Sequence, residues 1–238
     1  MKYAPIVLVP GFWLGAWAWD EVAGLLSADG ADVTALTLPG LDSVDTDRSA
    51  ISAADHVDAI CAAIDAADAP VVLAVHSGTG FSGYAASDRL PDKIAAMVYV
   101  DSGPGKGAMD PDFAGVEMPM PSPEELAENE NLDGLSDGQL ATFRRRAVPE
   151  PGGVVRGSIE LTNPARLDIP TTMICTGFPS DAVKAYAAEQ DPAWLAGLEE
   201  LRDVTWVDLP TSHWVMWSRP KELAQIIGEV AAAHAPSD

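Results

Sequence analysis

A serine at the end of an apolar run and just before a glycine can serve as a nucleophile, provided its hydroxyl stands clear and a base lies beside it. Val71-Val-Leu-Ala-Val-His-Ser-Gly-Thr-Gly80 offers that setting at Ser77. The β-branched run reads as a buried strand and Gly78 to Leu90 as a helix, so Ser77 falls on a sharp strand-to-helix turn. The free N–H groups and positive dipole of the helix start would face an oxyanion forming there. The competing reading is a plain strand–turn–helix whose serine only caps the helix.

A base must be found among four histidines. His76 adjoins the serine and is expected to point to the other side of the turn. His56 lies inside a helix that starts at Ser52, and His234 sits near the last residue, where order is often lost. His213, in Leu209-Pro-Thr-Ser-His-Trp214, follows a predicted strand and precedes the last helix. That places it on a loop at the carboxyl edge of a parallel sheet, beside the elbow. Taken alone it is a surface-loop histidine; beside a nucleophilic Ser77 it is the general base.

The elements that would position this pair alternate strand and helix, which predicts an α/β fold with a mostly parallel sheet and helices on both faces. Strands are expected at Pro5 to Val9, Asp32 to Leu38, Val71 to Val75, Ile94 to Val100, Thr171 to Thr176 and Val204 to Leu209. Helices are expected from Trp19, from Ser52, after Ser77, from Ser180, at Trp194 to Leu201 and from Pro220. Between Gly103 and about Arg166 the alternation stops, with one helical patch expected near Leu140 to Ala147. A stretch of that length is an insertion or lid, not an ordinary connection. No repeat or linker divides the 238 residues, so one domain with one insertion at about 103–166 is expected,.

Composition narrows the partners. A formal net charge of -22 repels nucleic acid and anionic membrane, so neither is an expected partner,. The first apolar run is too short to span a bilayer and lacks a cleavage site behind it, so a soluble cytoplasmic protein is expected. Cys61 and Cys175 are too few for a disulfide framework. The scarce His and Cys residues show no metal-ligand spacing, and the early glycines lack a phosphate-binding pattern, so no cofactor or metal is expected.

Over essentially its whole length the chain resembles the α/β-hydrolase superfamily. Val7-Leu-Val-Pro-Gly-Phe-Trp-Leu-Gly-Ala-Trp-Ala-Trp19 resembles the branch of plant hydroxynitrile lyases, plant methyl esterases and bacterial esterase-like proteins. His213-Trp214 with Ser218-Arg-Pro220 resembles the same branch's C-terminal histidine motif. The resemblance implies an oxyanion hole from the backbone N–H groups of Phe12 and Gly78, and a cap over the serine from Gly103 to Arg166. It also implies the chain order serine, acid, histidine.

The acid has two candidates. Relatives place it three residues past a glycine after the sixth strand; here that position holds Ser180, with Asp181 one residue later. Asp101, ending the strand Met97-Val-Tyr-Val100, has a precedent in some haloalkane dehalogenases and is slightly favoured. Relatives also carry small residues two before and two after the serine, where this chain has Val75 and Thr79, and commonly a histidine where it has Pro10. Gly78 and Gly80 are expected to relieve the crowding.

Hydrolysis of a small hydrophobic carboxylic ester through an acyl-enzyme is the leading expectation, with Trp13 and Trp214 lining an aromatic pocket. A ligand-binding protein of low turnover is the alternative, supported by Val75, Thr79 and Pro10. A cyanohydrin lyase fits poorly: the lyases' oxyanion-loop threonine and catalytic-side lysine correspond here to Gly11 and Trp214. The acidic surface leaves a homodimer through the cap open.

Overall fold

In the computed structural model, which describes residues 2–236, the apolar runs form the middle of one sheet. Its strands are β1 (Ile6–Val9), β2 (Val33–Ala35), β3 (Val71–His76) and β4 (Ile94–Val100). The chain then makes the short pair β5 (Glu117–Met118) and β6 (Glu150–Pro151), and returns to the sheet as β7 (Thr171–Cys175) and β8 (Val204–Asp208). The six sheet strands lie parallel in the order β2-β1-β3-β4-β7-β8. The chain reverses its walk across the sheet between β2 and β3. Ligands in such sheets bind beyond the carboxyl ends near that switch, which is where β1 and β3 deliver their ends here.

Period-two alternation along each strand makes two cores. Ile6, Leu8, Val72, Ala74 and Val98 face Trp19, the helix α1 (Asp20–Ala28) and the C-terminal helix. Val7, Val9, Leu73, Val75 and Tyr99 face α2 (Ala53–Asp65) and α3 (Gly80–Arg89). Because both faces are covered, the strands read as continuous apolar runs. The carboxylate of Asp55 accepts from the Ser52 N–H at 2.8 Å and from its hydroxyl at 2.6 Å, which fixes the start of α2.

The segment between β4 and β7 holds α4 (Pro123–Asn129), α5 (Asp137–Arg146), which overlaps the helical patch expected near Leu140 to Ala147, and α6 (Gly152–Val155), beside the antiparallel pair of β5 with β6. Ser122 caps α4 and Ser136 caps α5, each with its partner acid or amide three residues on, Glu125 and Gln139,. The C-terminal half adds α7 (Ser180–Gln190), α8 (Val215–Ser218) and α9 (Pro220–Ala233).

Two elements differ from expectation. β2 is shorter than Asp32 to Leu38, because it is an edge strand and the chain leaves the sheet where the Thr37 hydroxyl accepts from the Ala16 N–H at 2.9 Å. Trp194 to Leu201 is not one helix but two single 3-10 turns separated by Ala196 and Gly197. A Cβ at Gly197 would lie 2.5 Å from the Tyr84 ring, so close packing dictates a helix-weakening residue there,. No helix among the described residues is long and apolar enough to cross a membrane.

Candidate active site

Ser77 opens a 3-10 turn (Ser77–Thr79) between β3 and α3, with φ of 55°. A left-handed conformation costs an L-residue about 1–2 kcal/mol, so neighbours must hold it. The Ser102 hydroxyl donates to the Ser77 carbonyl at 2.6 Å, and the Thr79 hydroxyl donates to the His76 carbonyl at 2.7 Å. Thr79 therefore fits the turn by folding its hydroxyl back onto the strand end.

The space for Val75 comes from Gly83, where a Cβ would lie 2.5 Å from Val75, and not from Gly78 or Gly80. Those two glycines serve other contacts. A Cβ at Gly80 would come within 2.3 Å of the Gly103 carbonyl oxygen, and one at Gly78 within 2.7 Å of the Phe12 ring. The Gly78 N–H lies in the first turn of the 3-10 helix, where backbone donors have no intrahelical acceptor.

The loop after β8 carries His213 to the serine. The Ser77 hydroxyl lies 2.8 Å from His213 Nε2, and Nδ1 lies 2.6 Å from Asp101 Oδ2. An ionised carboxylate only accepts, so Nδ1 carries the proton and Nε2 accepts from the serine. The other Asp101 oxygen, Oδ1, accepts from the Thr176 N–H at 3.0 Å. Burial works to raise the Asp101 carboxyl, yet the hydrogen bond and charge of His213, with Thr176, outweigh it and hold the group below its ordinary value. Burial likewise works to lower His213, but the Asp101 hydrogen bond and charge, then Glu130, leave it raised.

Two flanking groups fix the imidazole. The His213 backbone N–H donates to the Asn131 carbonyl at 2.9 Å, and its ring stands T-shaped to Trp214 at 5.0 Å between centroids. His76 does not point away: its Nε2–H donates to the His213 carbonyl at 2.9 Å. Burial, then the charge of His213, pushes His76 down to about 3, so it works as a neutral donor. No pattern at position 76 announced this, since the contact spans 137 residues.

Asp181 does not reach His213. Its side chain is 94% exposed and pairs with Lys184 at 3.2 Å. The buried neighbour is Ser180, whose N–H and hydroxyl donate to the Asp208 carboxylate at 2.7 and 3.2 Å, and that contact turns the next residue outward.

A cavity of about 510 Å³ opens over Ser77 and His213, walled by Phe81, Met109, Phe178 and Trp194. Its charged side chains are Asp101 and Glu130, and among the described residues no lysine or arginine lines it. Trp13 and Trp214 are absent from its wall, contrary to expectation. Trp214 is 2% exposed and packs on Phe143 and Trp217. Trp13 donates its indole N–H to the Met118 carbonyl at 3.1 Å, which binds it to the insertion. An indole N–H taken from water seeks an acceptor, and that of Trp13 finds a backbone carbonyl of the insertion,. Among the described residues no group of three His, Cys, Asp or Glu side chains could hold a metal ion.

The profile of the alpha/beta hydrolase family matches residues 6–226 of the chain. Methylesterase 7 of Arabidopsis thaliana is 26% identical over 257 aligned residues, covering 96% of each protein. Methylesterase 8 of the same plant is 40% identical over 99 residues, which span 40% of this chain and 36% of that protein. An extracellular alpha/beta-hydrolase from a Paenibacillus species superposes with a TM-score of 0.74 at 19% identity, over 98% of this chain and 100% of that one.

Proposed function

The chain belongs to the alpha/beta hydrolase family, among its methylesterase-like carboxylic ester hydrolases, and we propose that it cleaves a small ester bearing an apolar group through an acyl-enzyme on Ser77. The observation that carries this is the unbroken line of contacts from the Ser77 hydroxyl through His213 to Asp101, opening into a mostly apolar cavity.

In this reading His213 Nε2 takes the Ser77 proton as Oγ attacks the ester carbonyl carbon. The backbone N–H groups of Phe12 and Gly78 receive the negative oxygen of the tetrahedral intermediate. Collapse expels the alcohol, which leaves with the proton held on Nε2. Water then loses a proton to His213 and attacks the acyl carbon, and Ser77 recovers its hydrogen as the acid departs. Asp101 holds the tautomer and stabilises the imidazolium at each stage. The stretch 103–166 acts as the cap, with Gly103, Met109, Asn129 and Glu130 forming its share of the cavity wall.

Two rival readings lose support. A cyanohydrin lyase needs a cation to hold cyanide, and the wall supplies only carboxylates. A low-turnover binding protein drew on a crowded elbow, and Gly83 and the Thr79 hydroxyl remove that crowding.

The test is pre-steady-state release of p-nitrophenol from short acyl esters. A burst stoichiometric with protein in the parent, and none in Ser77→Ala, is expected. Equal turnover by both would sink the assignment.

A further inference from the structure

Glu150 is fully buried, yet acyl transfer through Ser77, His213 and Asp101 does not use it. It lies in β6, inside the insertion, and its carboxyl oxygen Oε2 accepts from the backbone N–H of Trp13 at 3.3 Å. The Trp13 carbonyl accepts from the Val148 N–H at 3.0 Å, and the Trp13 indole donates to the Met118 carbonyl. All three polar groups of Trp13 thus end on the insertion. Trp13 also has φ of 66°, a conformation that relaxes unless it is held,.

The residue before Trp13 is Phe12. Its ring packs on Gly78, and its N–H is one of the two donors assigned to the oxyanion. We propose that Glu150 is a positioning residue: its carboxyl clamps the peptide between Phe12 and Trp13 to the insertion, so that the Phe12 N–H stays aimed at the reacting oxygen. The idea rests on the serine-hydrolase reading and gives the insertion a part in catalysis besides covering the cavity.

The surroundings suit a clamp that is neutral. Oε1 faces His56 Nδ1 at 3.8 Å, and His56 donates its Nε2–H to the Pro39 carbonyl at 2.9 Å, which leaves Nδ1 as an acceptor. Burial pushes the Glu150 carboxyl up to about 8 and His56 down to about 4, so at neutral pH both are uncharged. Oε1 and His56 Nδ1 make no other hydrogen bond, so Oε1 is the oxygen left to carry the proton, while Oε2 keeps its lone pairs for Trp13. Arg48, also buried, donates its Nε–H to the Pro149 carbonyl at 2.9 Å and fixes the backbone one residue upstream. A glutamine reproduces this pattern, with its amide oxygen on Trp13 and its NH₂ toward His56. A methionine fills similar volume and accepts nothing useful.

The experiment compares Glu150→Met, Glu150→Gln and the parent on a p-nitrophenyl ester, with unfolding curves for each. A donor shifted by a fraction of an ångström costs rate at the transition state more than binding, so a fall in kcat of about 10- to 100-fold is expected for the Met variant. KM should stay within about twofold, and the Gln variant should recover most of the parental kcat. A folded Met variant with parental kcat overturns the assignment, as does a Gln variant as impaired as the Met variant. If the Met variant does not fold, the Gln variant and a trifluoromethyl ketone, which forms an oxyanion adduct on the serine, decide. The Gln variant must then match the parent in both kcat and inhibitor affinity, and a joint loss overturns the clamp. A parent with no Ser77-dependent turnover defeats the hydrolase reading first, and the clamp falls with it.

Discussion

Val75 occupies the space that a side chain at Gly83 would need: a Cβ there would lie 2.5 Å from Val75 Cγ1. In an open helical position, glycine to alanine gains about 1 kcal/mol. Here the sign should reverse, with Gly83→Ala costing about 1–3 kcal/mol through overpacking behind the elbow. Adding Val75→Ala should recover part of that loss, and a double-mutant cycle in urea reads the coupling. A more stable Gly83→Ala protein would show that α3 can shift away.

Ester turnover should depend on an unprotonated His213. Its raised value places the loss of activity on the acid side above the ordinary imidazole midpoint of 6.5,. Glu130, whose Oε2 lies 3.9 Å from Nδ1, adds to that rise, so Glu130→Gln should move the midpoint to lower pH. The kcat/KM profile from pH 5 to 9 measures both. An unmoved midpoint would mean that water screens Glu130.

Asp101→Asn should lower kcat by roughly 10³- to 10⁴-fold, because an amide in that place favours the wrong imidazole tautomer. Asp181→Asn should leave kcat within about twofold, since its exposed carboxylate meets only Lys184. Single-turnover rates on one substrate separate the two outcomes.

Stability should record Glu150 independently of catalysis. Its native value of about 8 lies above its ordinary 4.5, so the folded protein holds a proton that the unfolded chain releases. That stabilisation is complete below 4.5 and is lost as pH rises through about 8, at no more than about 1.4 kcal/mol per unit. His56 from α2 and Arg48 from the preceding loop are the charged or titratable groups facing it. His56 acts with opposite sign, but only below its ordinary 6.5. His213 adds a loss of the same sign that parent and variant share. Thermal midpoints from pH 6.5 to 8.5 should therefore fall less steeply in Glu150→Gln than in the parent. Parallel curves would show that the carboxyl ionises freely.

The sequence disclosed those parts of the site that are local. The strand, the turn and the glycine around Ser77 are contiguous, and His213 stands out because it alone follows a strand and precedes the last helix. Asp101 and Asp181 could not be separated by spacing; the decision lies in β4 pairing directly with β3, while the Ser180–Asp208 contact turns Asp181 outward. The aromatic residues misled for a physical reason. Trp13 and Trp214 lie close to the site in sequence, but an indole hydrogen bond to Met118 and burial against Phe143 and Trp217 respectively made them supports, and Phe81, Phe178 and Trp194 form the wall. His76 and Glu150 carry no local signature at all, since each acts on backbone 137 residues away.

Those long separations also set when the protein can begin to work. The Ser77–His213 contact closes a loop of 136 residues, and the Glu150–Trp13 contact one of 137. Closing such loops is slow, and neither can form before its later partner has been synthesised. On the ribosome the elbow can take shape while β1, β3 and β4 assemble, with a serine that is chemically ordinary. In the proposed mechanism it acquires first its loop anchor, then its base, as the last strand and its following turn join the fold. On the serine-hydrolase reading, a nascent chain is thereby kept from acylating itself on passing esters until its last sheet strand is in place.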